Sequence, residues 1–520
     1  MLCRFACGKP LLSEVITVKL KALLLAAAVL LQIVALASCM QEKQGGSVST
    51  DEGPAEETTL SELESRAAIP DDLPEANFEG YLFRILTRTN AWSICDHIAD
   101  LYAEQITGDV INDAVYNRNK KVEERFNFKI SLIPIDSSDE SLPTATFTRS
   151  VMAGDDEYDI IIDHMIYMGM ASFNHVFYNW YDVPNVNFEK PWWVADATLK
   201  LTIDGKSFFA LGDLSYNSLD YTYCMYFNKR IWNDYNIPMP YQKVRDREWT
   251  IDYVISITKD VYQDLNSNQK KDDEDLFGYV SNIYSATVTY TWAFDNPITK
   301  FNEDGLPELV LNNEKTPAIL EKLNSFYNDY DGVNVLLTHT MRDGRNWMDF
   351  VPWMFSEGRA MLATGMFLYA KMMFRDLQDD YGFLPYPLWD EKQPQYYTML
   401  DGHGPLFGIP VTVTNPARTG IIVEGLSAEG YKIVTPAYYD VALKTKFTRD
   451  EESAEMIDLV LSVRTFDFGY MYDGWNGMAF YLQNLLSAKN TNFASYYRSN
   501  ETKAISYYEK VIQAYLDYDL

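Results

Sequence analysis

An alternation of strands and helices is the feature that most constrains the fold of this chain. "YLFRILT" (81–87) and "FKISLIPI" (128–135) are short apolar runs rich in branched and aromatic residues, as in buried strands. Between them, "INDAVYNRNKKVEERF" (111–126) has the apolar spacing of an amphipathic helix. A second helix ends near Gly154, and "YDIIID" (158–163) is a third strand. Strands separated by helices form parallel sheets, so the sequence predicts an α/β protein.

The middle of the chain is predicted to begin with a hairpin and to continue mainly as helices. "LKLTIDGKSFFAL" (199–211) has two strand-like arms around Asp204-Gly205, a residue pair that type I′ turns prefer. "TYCMYFN" (222–228) follows as a strand, and residues 230–380 have mainly helical patterns.

Strand signals return late in the chain. "YGFLPYP" (381–387) and "LFGIPV" (406–411) are strand-like, and "ARTGIIVEGLSAEGYKIV" (417–434) is a helix. Late strands that rejoin an early sheet indicate two lobes connected by several crossing segments. We predict that lobe 1 is mainly 77–190 with a return segment and that lobe 2 is mainly 230–480.

The first 38 residues have the parts of a secretory signal. Lys19 and Lys21 precede an uncharged stretch that ends in small residues, and a helix that spans a bilayer needs about 20 apolar residues, which this run barely reaches. "LASC" (36–39) resembles the bacterial lipoprotein signal, in which the cysteine sulfur is acylated and cleavage makes it the first residue. We expect Cys39 to carry a lipid anchor; the alternative is an uncleaved N-terminal helix.

Residues 39–76 comprise this cysteine and a polar segment rich in Glu, Ser, Thr, Gly and Gln. Such a segment cannot bury enough apolar area to offset the entropy lost on ordering, so we predict a flexible tether. It would hold the body, residues 77–520, off the membrane surface. The expected location is therefore extracytoplasmic and lipid-anchored to the cell membrane.

Charge and cysteine content limit the classes of partner. The formal net charge is -30, which repels phosphate backbones and argues against nucleic acid. Cys3 and Cys7 leave with the leader. Cys95 and Cys224 have no metal-like spacing, and the sequence leaves open whether they pair.

Several fragments, in order, resemble the extracellular solute-binding lipoproteins of bacterial ABC importers, the family 1 group that includes sugar-binding proteins. They are "DAVYNRNKKVEERFNFKI" (113–130), "MAGDDEYDIIID" (152–163), "KPWWVADATLKLTIDGKSFFALGDLS" (190–215), "MYFNKRIWNDYNIPMPYQKVRDREWTID" (225–252), "FSEGRAML" (355–362), "YGFLPYPLWDEKQPQYYT" (381–398) and "EGLSAEGYKIVTPAYYDVALKTKFTRDEESAEMIDLV" (424–460). The resemblance implies a type II periplasmic-binding-protein-like fold with a ligand cleft, no catalytic activity and no required cofactor. It also implies delivery of a small-molecule solute to ABC permease subunits.

Aromatic and polar residues in turns or just after strands are the candidates for this cleft, since aromatic faces stack on sugar rings and polar groups bond hydroxyls. The chain has 11 Trp and 37 Tyr, and for any one of them core packing is the alternative. A glycine allows a ligand to approach the backbone closely. The candidate ligand-binding residues are Trp92, Asp163, His164, Asp213, Tyr216, Trp292, Trp347, Gly365 and Trp475. We expect a mono- or oligosaccharide; peptides or other polar solutes are the alternatives.

"DLNSNQKKDDED" (264–275) has oxygen ligands at the spacing of an EF-hand calcium loop. Gln269 replaces the glycine of position six, and an aspartate replaces the usual glutamate of position twelve. The predicted ligands of this structural calcium ion are Asp264, Asn266, Asn268, the Lys270 carbonyl, Asp272 and Asp275. The alternative is a solvated acidic turn between helices.

The sequence contains no His-Glu-x-x-His, Gly-x-Ser-x-Gly or Walker A motif, and we predict no enzyme activity and no catalytic residues. Its five histidines are His97, His164, His175, His339 and His403. A glycoside hydrolase needs only two carboxylates, so a secreted lipoprotein glycoside hydrolase is the alternative from another class. A lipid-anchored surface protein without a transport role is a third reading.

Overall fold

The structure is a computed structural model that describes residues 62–90, 97–338, 347–374, 377–439, 450–473 and 477–518. The chain from Leu60 to Leu520 forms one compact unit. The described strands are β1 (Tyr81–Asn90), β2 (Phe128–Ser137), β3 (Ile160–His164), β4 (Tyr223–Asn228), β5 (Tyr262–Gln263), β6 (Leu276–Asn282), β7 (Thr299–Phe301), β8 (Pro307–Leu309), β9 (Val333–Leu336), β10 (Ala360–Met366), β11 (Tyr381–Leu384), β12 (Thr398–Met399), β13 (Pro405–Gly408) and β14 (Arg464–Thr465).

The helices surround these strands. In chain order they are α1 (Glu62–Ala67), α2 (Ile98–Leu101), α3 (Val110–Phe126), α4 (Leu142–Ala153), α5 (Met165–Ala171), α6 (Ala195–Lys200), α7 (Asn217–Asp220), α8 (Lys229–Asp234), α9 (Tyr241–Arg245), α10 (Ile251–Thr258), α11 (Ser285–Val288), α12 (Tyr290–Ala293), α13 (Lys315–Asn328), α14 (Phe350–Ser356), α15 (Phe367–Met372), α16 (Pro416–Glu429), α17 (Glu451–Ser462), α18 (Phe468–Met471), α19 (Tyr481–Ser487) and α20 (Phe493–Leu516). Among the described residues, no helix combines the length and apolar character needed to cross a bilayer.

The sheet of lobe 1 has the strand order β13-β3-β1-β2. β1 is parallel to both β2 and β3, and β13 joins β3 antiparallel. Asp109 caps α3 by accepting hydrogen bonds from two backbone N–H groups, and α4 ends at Gly154 with φ +82°. The predicted strand–helix–strand–helix–strand run is therefore confirmed, and so is the later return of a strand to this sheet.

The segment 199–211 contains the predicted turn without the predicted strands. Asp204 and Gly205 have φ +50° and +70°, and Ile203 pairs with Lys206, as a type I′ turn requires. The N-terminal arm belongs instead to α6 up to Lys200. The C-terminal arm is buried at every residue of 207–211, so it lacks the alternation of a half-exposed strand.

Helices contribute more residues than strands to the range 230–380, as predicted, but the prediction omits a sheet. A second sheet has the order β11-β4-β10-β6-β5, with β9 paired to β6, and most of its strands come from this range. β6 and β10 are parallel, and each is buried at all seven residues. An apolar run that is buried on both faces has no period-two pattern, so its sequence resembles that of a buried helix.

Two connections between the sheets lie side by side. The chain enters β4 through α7 and returns to β13 through residues 400–404. Thr222 forms an isolated bridge with Leu400, and the Asp401 N–H donates to the Tyr221 carbonyl (3.0 Å). These contacts join the two connections at the boundary between the lobes.

A buried carboxylate attaches α16 to the "KPWW" segment of lobe 1. Glu424 is fully buried, and it accepts hydrogen bonds from the indole N–H groups of Trp192 (2.9 Å) and Trp193 (3.0 Å). Burial raises the pKa of Glu424 to about 7, because loss of hydration outweighs the donors that stabilise the carboxylate.

This pKa predicts how stability depends on pH. Folded Glu424 binds a proton more tightly than an unfolded glutamate with pKa 4.5, so its contribution to stability is present below pH 4.5 and is lost as the pH rises towards 7. Glu424→Gln removes this dependence. We expect the free energies of unfolding of wild type and variant to differ by an amount that changes by about 1–3 kcal/mol between pH 4.5 and pH 8. Urea denaturation at each pH measures this difference.

The matched control is Glu189→Gln, which makes the same chemical change at an exposed position of the same lobe. The free energy of unfolding of this control should differ from that of the wild type by a constant amount over this pH range. Equal pH profiles for Glu424→Gln and wild type would contradict the assignment.

Candidate functional site

A cavity of about 220 Å³ lies between the carboxyl ends of strands from both sheets. His164 ends β3, and Glu140 follows β2, so both belong to lobe 1. Tyr284 and Ser285 follow β6 of the second sheet. In open α/β sheets, ligands bind beyond the carboxyl ends of the strands, which makes this cavity the candidate functional site.

The connection before β13 supplies a histidine between two carboxylates. His403 Nδ1 donates to Asp401 Oδ1 (2.5 Å), and His403 Nε2 lies 3.3 Å from Glu140 Oε1. Burial opposes ionisation of Glu140 and Asp401, but the neighbouring His403 outweighs it and holds the pKa of each carboxyl group below its ordinary value. Both groups are therefore anions in the neutral pH range.

His164 is held as a neutral imidazole. It is buried, and its Nδ1 accepts a hydrogen bond from the Ile166 backbone N–H (3.1 Å) at the start of α5. Burial, followed by the positive charges of His403 and Arg88, lowers the pKa of His164 well below its ordinary value. With Nδ1 acting as acceptor, the single ring proton lies on Nε2.

An aromatic wall faces these polar groups. The rings of Tyr284 and Trp347 have centroids 4.2 Å apart, and Tyr470 also lines the cavity. The Tyr470 hydroxyl accepts a hydrogen bond from the Gly402 N–H (2.9 Å), which fixes the ring against the connection between the lobes. Aromatic faces opposite hydrogen-bonding groups suit an amphipathic polar solute such as a sugar ring.

Asp163 lies directly behind the cavity rather than in it. It is fully buried, and its two oxygens accept hydrogen bonds from Arg88 Nε (2.6 Å) and Thr144 Oγ1 (2.5 Å). Arg88 also donates to the carbonyl of Glu140 (3.0 Å). The ion pair thus orients two of the lobe 1 residues that line the cavity, namely His164 and Glu140.

Of the sequence-predicted ligand residues, the structure brings His164 and Trp347 together in this cavity. Trp292 instead lines a second cavity of about 380 Å³, where its indole N–H donates to Asp467 Oδ2 (2.8 Å). Tyr216 is buried against Tyr438, with ring centroids 5.0 Å apart.

Asp213 and Gly365 have packing roles. Asp213 Oδ1 accepts a hydrogen bond from the Thr435 hydroxyl (2.9 Å), and burial raises the pKa of Asp213 to about 7. A Cβ at Gly365 would lie 2.7 Å from the ring of Tyr369 and 2.8 Å from that of Tyr226, so aromatic rings rather than a ligand occupy this space. The expectation of backbone approach by a ligand at Gly365 is therefore wrong.

Some predicted residues lie outside the described part of the chain: Cys39, Trp92, Cys95 and Trp475. Cys224 is free and buried in β4.

Several cavity residues carry no clear signal in the sequence. Tyr284 and Ser285 follow a strand in a range that the sequence predicts as mainly helical, so their pattern does not identify them as residues at a strand end. Asp401 and His403 lie in "DGHG", whose glycines indicate a turn without indicating which side chains the turn presents. Glu140 is one of 74 acidic residues and carries no local signal.

The loop 264–275 connects the antiparallel strands β5 and β6, not two helices as the alternative reading supposed. Gln269 adopts φ +59°, the left-handed conformation that the sixth position of an EF-hand loop requires. Asp275 is buried and accepts from the Tyr262 hydroxyl (2.9 Å) and the Asp272 N–H (3.0 Å). Asp264 Oδ1 is shielded from solvent and has no hydrogen-bond partner among the described residues.

Comparison with solved structures identifies the architecture. The maltose/maltodextrin-binding domain MalE of Bdellovibrio bacteriovorus, bound to maltotriose, superposes with a TM-score of 0.51 at 12% identity, over 84% of this chain and 98% of that chain. The chain has the two-lobe binding-protein fold. The predicted fold class is therefore confirmed.

Two further similar structures are the maltose-bound MalE3 of T. maritima and the substrate-binding protein Lmo0181 of Listeria monocytogenes with cycloalternan. Each has a TM-score of 0.49 at 12% identity; they cover 83% and 84% of this chain, and 99% and 98% of their own chains. The Bdellovibrio structure is a binding domain, and the Listeria structure is a substrate-binding protein. No family model and no curated protein sequence matches the chain.

The Arg88–Asp163 pair generates a stability prediction. Arg88→Met keeps most of the side-chain volume but leaves a buried carboxylate without its cation. We expect the free energy of unfolding to fall by about 3–5 kcal/mol in chemical denaturation at pH 7.

Arg230→Met is the matched control, because Arg230 also pairs with a carboxylate, Asp379 (2.9 Å), but its side chain is 51% exposed. This change should cost less than about 1 kcal/mol. Equal losses for the two variants would show that burial of the Arg88 pair has no special effect.

Proposed function

We propose that this protein is an extracytoplasmic solute-binding protein that captures a carbohydrate between its lobes and delivers it to an ABC permease. The observation that carries the proposal is the cavity between the carboxyl ends of the two sheets, with an aromatic wall opposite polar groups. The structural neighbours add support, because their named ligands are maltotriose, maltose and cycloalternan.

The proposed mechanism is capture by closure. His164 and Glu140 belong to lobe 1, whereas Tyr284 follows a strand of the second sheet. A solute that touches both walls gains contacts in the closed form that the open form lacks, and it therefore shifts the population towards closure. The permease would recognise the closed form.

The cavity side chains have complementary hydrogen-bonding roles. The His164 Nε2–H donates to a hydroxyl or ring oxygen of the solute, and the Glu140 carboxylate accepts from hydroxyl groups. Trp347 supplies a flat apolar face for stacking on the C–H side of the ring. This arrangement would orient a hydroxylated ring in the cavity.

The sequence supports a membrane-anchored version of this function. Acylation of Cys39, followed by the polar tether, would keep the loaded protein near its permease and raise the effective concentration. Two acyl groups suffice for stable anchoring, since each buried methylene adds about 0.8 kcal/mol.

A carbohydrate screen by thermal shift, followed by calorimetry, tests the proposal on the full chain. At one hundred times its Kd, a bound sugar stabilises the protein by about 2.7 kcal/mol, which gives a clear rise in Tm. Trp347→Ala should weaken binding by about 10-fold or more, because it removes the stacking face. The control Trp389→Ala removes a half-buried indole packed on Phe294 and outside the cavity, and should leave Kd unchanged.

The fate of the sugar separates the remaining readings. Recovery of intact sugar supports capture, whereas recovery of cleaved sugar supports the glycoside hydrolase alternative. A shift with peptides alone would replace carbohydrate as the solute class. If no small ligand binds, the transport role is rejected in favour of a surface protein.

We further propose that the loop 264–275 binds a structural calcium ion. The left-handed Gln269 and the unpartnered Asp264 oxygen fit this group, because calcium collects oxygen ligands from alternate residues of a tight loop. Calcium should then raise the Tm of the EDTA-treated chain. Asp264→Asn should remove most of that rise, whereas Asp304→Asn, at an exposed turn, should retain it. A Tm that is equal in calcium and EDTA rejects the site.

A further inference from the structure

We infer that Glu140, His164 and His403 form a binding site for one divalent transition-metal ion, with Zn²⁺ as the reference ion, at the lobe boundary. One ligand atom from each residue lies within 4.8 Å of the others. Two imidazoles and a carboxylate form a donor set that Zn²⁺ prefers. The calcium loop differs in kind, because its predicted ligands are all oxygens.

The ring of His403 is oriented so that its Nε2 can bind a metal ion. Asp401 accepts the Nδ1 proton (2.5 Å), so in the neutral ring the lone pair lies on Nε2 and faces Glu140 Oε1 at 3.3 Å. In the positively charged ring the Nε2 proton lies between these two atoms, and a metal ion would take the place of that proton. Ligand atoms of a tetrahedral zinc site are about 3.4 Å apart, which matches the spacing of this pair.

Asp401 would act as the carboxylate that orients the metal-binding ring of His403. Metal-binding histidines commonly donate their second ring N–H to such a group, which fixes the tautomer and increases ligand basicity. Asp401 is buried, and its backbone N–H is bonded to Tyr221 at the crossing of the two connections. The same oxygen that accepts from the His403 ring also accepts from the His403 backbone N–H (2.9 Å). His403 therefore makes two hydrogen bonds to one carboxylate oxygen, one from its ring and one from its backbone.

His164 is the third and weaker ligand. Its ring centroid lies 4.8 Å from that of His403. In the metal-free protein Nδ1 accepts from Ile166, which places the proton on Nε2. Ligation through Nε2 moves this proton to Nδ1, which can then no longer accept from Ile166, at a cost of about 1 kcal/mol. This cost makes the contribution of His164 smaller than that of His403.

Three protein ligands leave at least one coordination position for water or a solute oxygen. The cavity continues from these residues to Trp347 and Tyr284, so that position would face the solute space. This consequence, unlike the site itself, rests on the proposed function: a bound metal would add coordination of a solute oxygen to the hydrogen bonds described above.

The test uses the untagged full chain after EDTA treatment and buffer exchange, with Zn²⁺ or Co²⁺ alone as the probe. Calorimetry should give one Zn²⁺ per chain. Co²⁺ should develop the intense visible absorption of a four- or five-coordinate ion. We expect His403→Ala to weaken Zn²⁺ binding by about 100-fold or more, His164→Ala by about 10-fold, and Asp401→Asn by about 10–100-fold.

His175→Asn is the matched control, since His175 is exposed and asparagine tolerates its φ of +56°. It should bind Zn²⁺ like the wild type. If His403→Ala does not fold, Glu140→Gln gives the same test with a smaller change, and it should also weaken binding. Retained affinity in Glu140→Gln, or stoichiometry below one ion per chain, overturns the site and leaves His403 as an ion-pair partner of the two carboxylates.

Repeating the carbohydrate titration in EDTA and in Zn²⁺ separates the two proposals. Zn²⁺ binding without any sugar binding supports the metal site and rejects carbohydrate capture. Sugar binding that is equal in both buffers, with no Zn²⁺ bound, supports carbohydrate capture and rejects the metal site. Sugar binding that is tighter in Zn²⁺ supports coordination of the solute by the metal.

Discussion

The buried ion pair between Arg88 and Asp163 is the interaction on which the cavity depends. Arg88 comes from β1 and Asp163 from β3, so the pair joins neighbouring strands near their carboxyl ends. The same guanidinium holds the carbonyl of Glu140, and Asp163 is the residue before His164. A charge buried this deeply is stable only while its partner is in place, so the strand ends and the cavity wall are organised together.

A second polar unit lies where the chain passes between the lobes. His403 contacts Asp401 of its own connection and Glu140 of lobe 1, while the Asp401 backbone is bonded to the neighbouring connection. The position at which the lobes are joined is thus also a wall of the cavity. A ligand that changes the contacts of His403 therefore acts directly on a connection between the lobes.

The fold could be predicted where the sequence pattern was local. The first three strands are short apolar runs separated by helices, and the first of these helices has the apolar spacing of an amphipathic helix. The resemblance to solute-binding proteins agrees with this alternation. β6 and β10 were missed because burial on both faces removes the period that distinguishes a strand from a helix. Of the predicted ligand residues, His164 and Trp347 line the candidate cavity, whereas Glu140, Asp401 and His403 come together there only through long-range contacts.

By itself the sequence determined the α/β class and, through the family resemblance, the two-lobe fold. It also predicts a leader and a tether, because both predictions depend on the composition of short segments. Only the tertiary structure decided which polar groups meet. His403 and Glu140 are 263 residues apart, and their contact follows from the return of β13 to the sheet of β3. It also decided that Asp163 supports the site from behind and that Gly365 packs against aromatic rings. Burial and partner geometry give those residues their roles, and neither property is encoded in a residue's immediate neighbours.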